Sequence, residues 1–289
     1  MRRTSLLAGG VAALAMTVGA APAASAADSV FGGSTTGDEP IVLYANKAAK
    51  KLSSAVISWR AECGDGMGLP LASVVTPAKA SPGFSPGARD LIVSRNGKRR
   101  FSGTQRIGLT FGGSSAAIAV KLTGRLGAKA AAGTLSAEAT IVDSATGNEQ
   151  TTCRTGLVHW KASRAPGRVY GGKTAQDEPF VAKLDARRKR VTDLLVSWES
   201  ECSPDGYLHY PERLDNFPLA STGRFGDTWD DTVHDSDGGT RKFAYTLDGR
   251  LARRSARGTL RITMTATDAA GATTRSCDSG GIAWKAKTG

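Results

Sequence analysis

The sequence predicts an all-β protein of two tandem homologous domains behind a cleaved signal peptide, each domain a β-sandwich-like unit or small barrel with one internal disulfide. Three observations predict it: long stretches of the chain repeat each other, apolar residues alternate with period two, and two cysteines fall in each repeat. The expected boundaries are a signal segment at 1–26, a first domain at 27–166 and a second at 167–289.

The repeat is read from three collinear blocks. Phe31 to Cys63 aligns without a gap on Tyr170 to Cys202, with 12 of 33 positions identical. Gly32-Gly33 falls on Gly171-Gly172, Asp38-Glu39-Pro40 on Asp177-Glu178-Pro179, and Ser58-Trp59 on Ser197-Trp198. Further on, Gly124-Arg125-Leu126 matches Gly249-Arg250-Leu251, and Gly133-Thr134-Leu135 matches Gly258-Thr259-Leu260. Cys153 and Trp160-Lys161 then match Cys277 and Trp284-Lys285. Blocks in that order mean duplication.

Within the blocks, Ile118, Val120 and Leu122 alternate with polar or small residues, as do Leu135, Ala137, Ala139 and Ile141. Phe243, Tyr245, Leu247 and then Leu260, Ile262, Met264 repeat the rhythm. Period two marks a strand with one face on a core and one in water. Each pair of runs is joined by a short Gly-bearing segment, which predicts a long antiparallel hairpin. Ala55 to Trp59 and Leu194 to Trp198 are continuous apolar runs, hence strands nearer the core. Duplication favours the pairings Cys63–Cys153 and Cys202–Cys277, which each copy can make alone.

The N-terminus has the build of a secretory signal: Arg2 and Arg3, an uncharged stretch Leu6 to Ala21 too short to span a bilayer, then the small-x-small site Ala24-Ser25-Ala26. Ser5-Leu6 stands where the twin-arginine route has Phe-Leu, which favours general export. The chain is expected to be secreted and loosely wall-associated, with no membrane span. Net charge is +12, and +10 without the two signal arginines. Residues 27–166 carry 17 Lys/Arg against 9 Asp/Glu, residues 167–289 carry 19 against 17.

Four constellations bear on chemistry. Cys277-Asp278-Ser279-Gly280-Gly281 resembles a serine-protease nucleophile motif, but its counterpart in the first copy is Arg154-Thr155-Gly156, and neither His209 nor His234 sits in a triad setting. It is read as a turn beside the disulfide, and no catalytic residue is expected. Asp227, Asp230, Asp231, Asp235 and Asp237 crowd a stretch that could hold calcium. Its spacing lacks the glutamate of a calcium loop, so a solvated acidic loop is the expectation and no metal ligands or cofactor are assigned. Tyr207, His209, Tyr210 and nearby Trp229 form an aromatic-rich stretch suited to a sugar or peptide, and are the candidate ligand-binding residues. It precedes a Pro-Leu-Ala-Ser at 218–221 that matches one at 70–73; the first copy instead carries a Pro- and Gly-rich stretch, Val74 to Lys98. Finally, Lys50-Lys51, Lys98-Arg99-Arg100, Arg187-Arg188-Lys189-Arg190 and Arg253-Arg254 fall where turns are predicted. No nucleic-acid motif accompanies them.

The aromatic-Gly-Gly-x-Thr start, the Ser-Trp-x-x-x-Cys strand and the closing Cys-x-[Thr/Ser]-Gly…Trp-Lys strand resemble those of small secreted proteins of Streptomyces-type actinobacteria. Those proteins carry this module singly or in tandem. The resemblance spans nearly all of the chain after the signal, implies an extracellular β-rich module, and brings no activity or catalytic residues with it. The function expected is therefore a non-catalytic binding or structural module at the cell surface or in the medium. The alternative is a module that binds an anionic cell-wall polymer or saccharide through basic loops, and a secreted hydrolase comes last.

Overall fold

The computed structural model describes residues 29–46, 49, 52–64, 68–75, 92–93, 100–111, 113–204 and 206–289, and every regular element among them is a β-strand. The expected signal segment and most of the stretch from Val74 to Lys98 lie outside the described residues. In the first half the strands are β1 (Ser29–Thr35), β2 (Pro40–Ala45), β3 (Leu52–Cys63), β4 (Gly68–Val75), β5 (Ile92–Val93), β6 (Arg100–Phe111), β7 (Ser114–Leu126), β8 (Ala130–Asp143), β9 (Glu149–Arg154) and β10 (Val158–Ser163). In the second half they are β11 (Val169–Thr174), β12 (Pro179–Leu184), β13 (Arg190–Ser203), β14 (Tyr207–Leu214), β15 (Phe217–Pro218) and β16 (Arg224–His234). These are followed by β17 (Thr240–Leu251), β18 (Ser255–Thr267), β19 (Thr273–Asp278) and β20 (Ile282–Thr288).

Each half closes a six-stranded antiparallel barrel. The first runs β1–β2–β3–β9–β8–β10 and back to β1; the second runs β11–β12–β13–β19–β18–β20 and back to β11. Both barrels carry extra strands: β4 on β3, and β7, β6 and β5 beyond β8; then β14 and β15 on β13, and β17 and β16 beyond β18. Closure removes exposed edges from the ring itself.

The predicted hairpins are present with the predicted faces. Ile118 lies opposite Ala139 and Leu122 opposite Leu135, all buried; Phe243 lies opposite Met264 and Leu247 opposite Leu260. Gly124, Gly133 and Gly258 of these motifs make room for an indole, and Gly249 for the Phe225 ring. A Cβ on Gly133 would stand 2.6 Å from Trp160 Cζ2, and one on Gly258 2.4 Å from Trp284 Cζ2. Truncating a buried tryptophan of this kind costs about 3–5 kcal/mol. The disulfides are Cys63–Cys153 and Cys202–Cys277, each joining directly opposed residues of neighbouring strands. Trp59 and Trp198 share the barrel interiors with them.

The register corrects one alignment. Pro70 to Ser73 lies on β4, with Pro70 opposite Arg60 of β3, whereas Pro218 sits on the two-residue β15. The strand that occupies the place of β4 in the second half is β14, with His209 opposite Glu199 of β13. Glu199 and Arg60 are 139 positions apart, so His209 is the positional counterpart of Pro70, and the shared Pro-Leu-Ala-Ser is coincidental.

The two barrels dock through their outer faces. Val30 and Val42 pack against Val181 and Leu195, with Tyr44 at the margin. The contact is reciprocal: a Cβ on Gly32 would stand 2.8 Å from Val181 Cγ1, and one on Gly171 would stand 2.8 Å from Val30 Cγ1 and 2.9 Å from Val42 Cγ1. Burying each such aliphatic side chain contributes about 1.5–3 kcal/mol. At the rim Arg213 reaches Asp38 of the first half (2.9 Å) and Asp193 of its own (2.6 Å), and the Arg60 guanidinium lies 5.3 Å from the Tyr210 ring centre.

Candidate functional site

The serine of the protease-like motif is tied to the backbone. Ser279 Oγ accepts from the Ile262 N–H (2.9 Å) and donates to the Gly280 carbonyl (3.1 Å). In the first half Thr155 Oγ1 does the same with Ala137 N–H (2.9 Å) and Gly156 carbonyl (2.8 Å). Asp278 is held by Arg261 through two bonds (3.2 and 2.7 Å), and that contact, with the Gly280 N–H behind it, keeps its carboxyl below the ordinary carboxylate range.

The acidic stretch is not a loop. Asp227, Asp230 and Asp231 lie on β16, paired across to Leu247, Ala244 and Phe243, and the turn begins only at Asp235. Asp235 is engaged by Arg241 (2.6 Å) and Asp237 by the Gly239 N–H (3.0 Å). Two turn-forming carboxylates are thus committed to local contacts, because a tight hairpin needs its backbone donors satisfied.

The candidate ligand-binding residues separate. Trp229 stacks on Tyr245 (4.8 Å, 5°) and tilts against Phe217 (5.8 Å); Tyr210 packs against Trp198 (6.3 Å). These rings pack against the core between β14 and the β16–β17 pair, with Tyr210 and Trp229 left half-buried. Tyr207 lies on β14, and its side chain is outside the described residues. Between the same strands Glu212 accepts from the Tyr245 hydroxyl (3.2 Å), and burial pushes its carboxyl up to about 7. His209 points to the other face of β14, where its Nε2 lies 3.1 Å from Glu178 Oε2 and both residues are buried.

What the sequence reading missed is a row of cations across each barrel. Residues directly opposed in antiparallel strands share a face with Cβ atoms about 5 Å apart. In the second half Arg224 opposes Arg250, Arg250 opposes Arg257, Arg257 opposes Lys285, and Lys285 opposes Lys173. Five strands, β16–β17–β18–β20–β11, thus present five cations side by side, four of them exposed. At about 4.8 Å per strand the row is about 19 Å long. In the first half the same positions are Arg100, Arg125, Ala132, Lys161 and Ser34. Two smaller residues open the surface there. A shallow cleft of about 720 Å³ is lined by Ser34, Arg125, Ala132, Lys161 and Lys183, and a second of about 510 Å³ shares Arg125 and Ala132 and extends to Arg100.

Four arginines elsewhere in the fold are paired with carboxylates: Arg154 with Glu138, Arg213 with two aspartates, Arg241 with Asp235, Arg261 with Asp278. Among the described residues none of Arg100, Arg125, Lys161, Arg224, Arg250, Arg257 or Lys285 forms an ion pair; Lys173 reaches Asp177 (3.3 Å). Like charges directly opposed destabilise a sheet. The signal was present in the sequence, since Arg100/Arg224, Arg125/Arg250 and Lys161/Lys285 recur within the matched motifs. Only strand register puts them in one line.

No protein-family model, curated protein or solved structure matches this chain in comparison.

Proposed function

We propose that this chain is a non-catalytic exported protein that binds an anionic polymer, laid along the cation rows rather than held by basic loops. The observation that carries the reading is the line Arg224–Arg250–Arg257–Lys285–Lys173 with its counterpart Arg100–Arg125–Lys161. The fold gains nothing from this arrangement, and a string of phosphates or carboxylates would turn its repulsion into attraction. Planar guanidinium groups suit phosphate oxygens two at a time, which favours a phosphodiester-type polymer. Export is supported by the N-terminal pattern and by two disulfides, which persist in oxidising compartments. The non-catalytic part is supported by Ser279 being tied to the backbone as Thr155 is.

The test is titration of the purified protein with fluorescent inorganic polyphosphate over a range of salt concentrations. Neutralising five phosphates should give a log K against log salt slope of about −3.5, by analogy with single-stranded polyanions. Binding that ignores salt, or that survives Arg250→Glu with Arg257→Glu, would overturn the proposal.

A further inference from the structure

We infer that Glu178, His209 and Glu199 form a divalent-metal site in the second barrel, of the imidazole–carboxylate type that zinc takes. Glu178 is 5% exposed and His209 6% exposed. Their facing atoms, Oε2 and Nε2, stand 3.1 Å apart, yet the alignment does not make a hydrogen bond, and His209 Nδ1, His209 Nε2 and Glu178 Oε2 are all buried without one. Two donors in contact but not aimed at each other are what neighbouring ligands of one ion look like. With metal–ligand distances near 2.0–2.1 Å, tetrahedral ligands stand about 3.3 Å apart. Glu199 brings a carboxylate to the same place, and ligand atoms of all three residues lie within 4.8 Å of one another.

The scaffold holds these groups from two strands and the turn before a third. Glu199 and His209 are directly opposed on β13 and β14. Glu178 precedes β12, its N–H donating to Thr174 Oγ1 (3.2 Å). The Gln176 side chain grips the Glu199 backbone on both sides, donating to its carbonyl (2.8 Å) and accepting from its N–H (3.0 Å). An ion of charge +2 would offset both carboxylates. The imidazole argues against calcium or magnesium, which take oxygen ligands, and for a transition metal or zinc.

The first barrel is an internal control. It keeps the glutamate of the Asp-Glu-Pro motif, but Glu39 accepts from the Thr35 hydroxyl, and Arg60 and Pro70 stand where the second barrel has Glu199 and His209. A cation and a proline cannot ligate a metal. The site belongs to one copy alone.

The experiment is calorimetric titration of chelator-stripped, tag-free protein with zinc chloride, with thermal unfolding alongside. One equivalent should bind, raise the melting temperature, and resist millimolar calcium and magnesium. Glu199→Gln, at a partly exposed position, should weaken zinc at least tenfold, His209→Gln should abolish binding, and Glu39→Gln should change nothing. Cobalt substitution should add visible d–d bands to wild type and none to His209→Gln. No binding by the stripped wild type, or binding unchanged in Glu199→Gln and His209→Gln, would leave only a buried Glu–His pair and overturn the inference.

Discussion

Arg257→Glu separates the cation row as a binding device from the cation row as an accident of surface charge. Arg257 has two direct like-charge neighbours, Arg250 on β17 and Lys285 on β20, and no ion-pair partner among the described residues. Reversing its charge converts two repulsive cross-strand pairs into two attractive ones. Each such pair is worth about 0.2–1 kcal/mol, towards the low end at exposed positions, so the variant should gain about 1 kcal/mol. That corresponds to a melting temperature about 3–5 °C higher for a domain of this size. The gain should be largest in 20 mM salt and nearly vanish in 1 M, where screening acts within about 3 Å. In the same low-salt buffer, polyphosphate affinity should drop at least tenfold. Arg275→Glu is the control, since Arg275 is exposed and opposed by Ala266 rather than by a cation. The measurements are differential scanning calorimetry at the two salt concentrations and fluorescence anisotropy for binding. A stability loss at low salt, or an Arg275→Glu variant that behaves identically, would refute the reasoning.

Three further outcomes are expected. Glu212 is pushed up to about 7 by burial from an ordinary 4.5, so the unfolded chain ionises first and stability should fall as pH rises from 4.5 to 7, the penalty being full above 7; at 1.36 kcal/mol per unit it amounts to about 3 kcal/mol. Denaturant unfolding at pH 4.5 and 8 should show Glu212→Gln, which still accepts from Tyr245, losing most of that slope. Gly171→Ala drives a Cβ against Val30 and Val42 at under 3 Å and should cost about 1–3 kcal/mol in urea unfolding, while Gly281→Ala, with open space around it, stays within about 0.5 kcal/mol. Ser279→Ala should cost about 1–2 kcal/mol by orphaning the buried Ile262 N–H, and Ser279→Thr, the first copy's residue type, should be near neutral in the same assay; a loss of peptide hydrolysis in Ser279→Ala would speak for an enzyme.

The architecture was legible because duplication and period-two patterning are both one-dimensional signals. The hairpins of Ile118 with Ala139 and of Phe243 with Met264 follow from alternation alone, and the disulfide pairings follow from one pair per copy. The site was not legible in the same way. Lys285 and Arg224 are 61 positions apart, and only the order β16–β17–β18–β20 lines them up. Likewise Glu178 was visible as a repeat marker and His209 as a candidate, but nothing in the spacing of 31 residues places their side chains 3.1 Å apart. The Pro-Leu-Ala-Ser match misled because four identical letters outweighed register, and the true partner of β4 shares almost none of its residues.

The reciprocity of the domain contact explains which parts of the repeat could diverge. Gly32 receives Val181 as Gly171 receives Val42, the relation found where two identical subunits meet about a two-fold axis. The halves therefore dock as a dimer whose subunits share one chain. In such an arrangement the glycines and valines of β1, β2, β11 and β12 serve both partners at once, so a change on either side is felt twice. The indole slots at Gly133 and Gly258 are bound by packing within each barrel. β4 and β14 are appended outside the closed rings and meet the other half only at the rim of the domain contact, through Arg213 and Tyr210. That is where the second copy acquired His209 opposite Glu199, and where a chain with two equivalent barrels became chemically asymmetric.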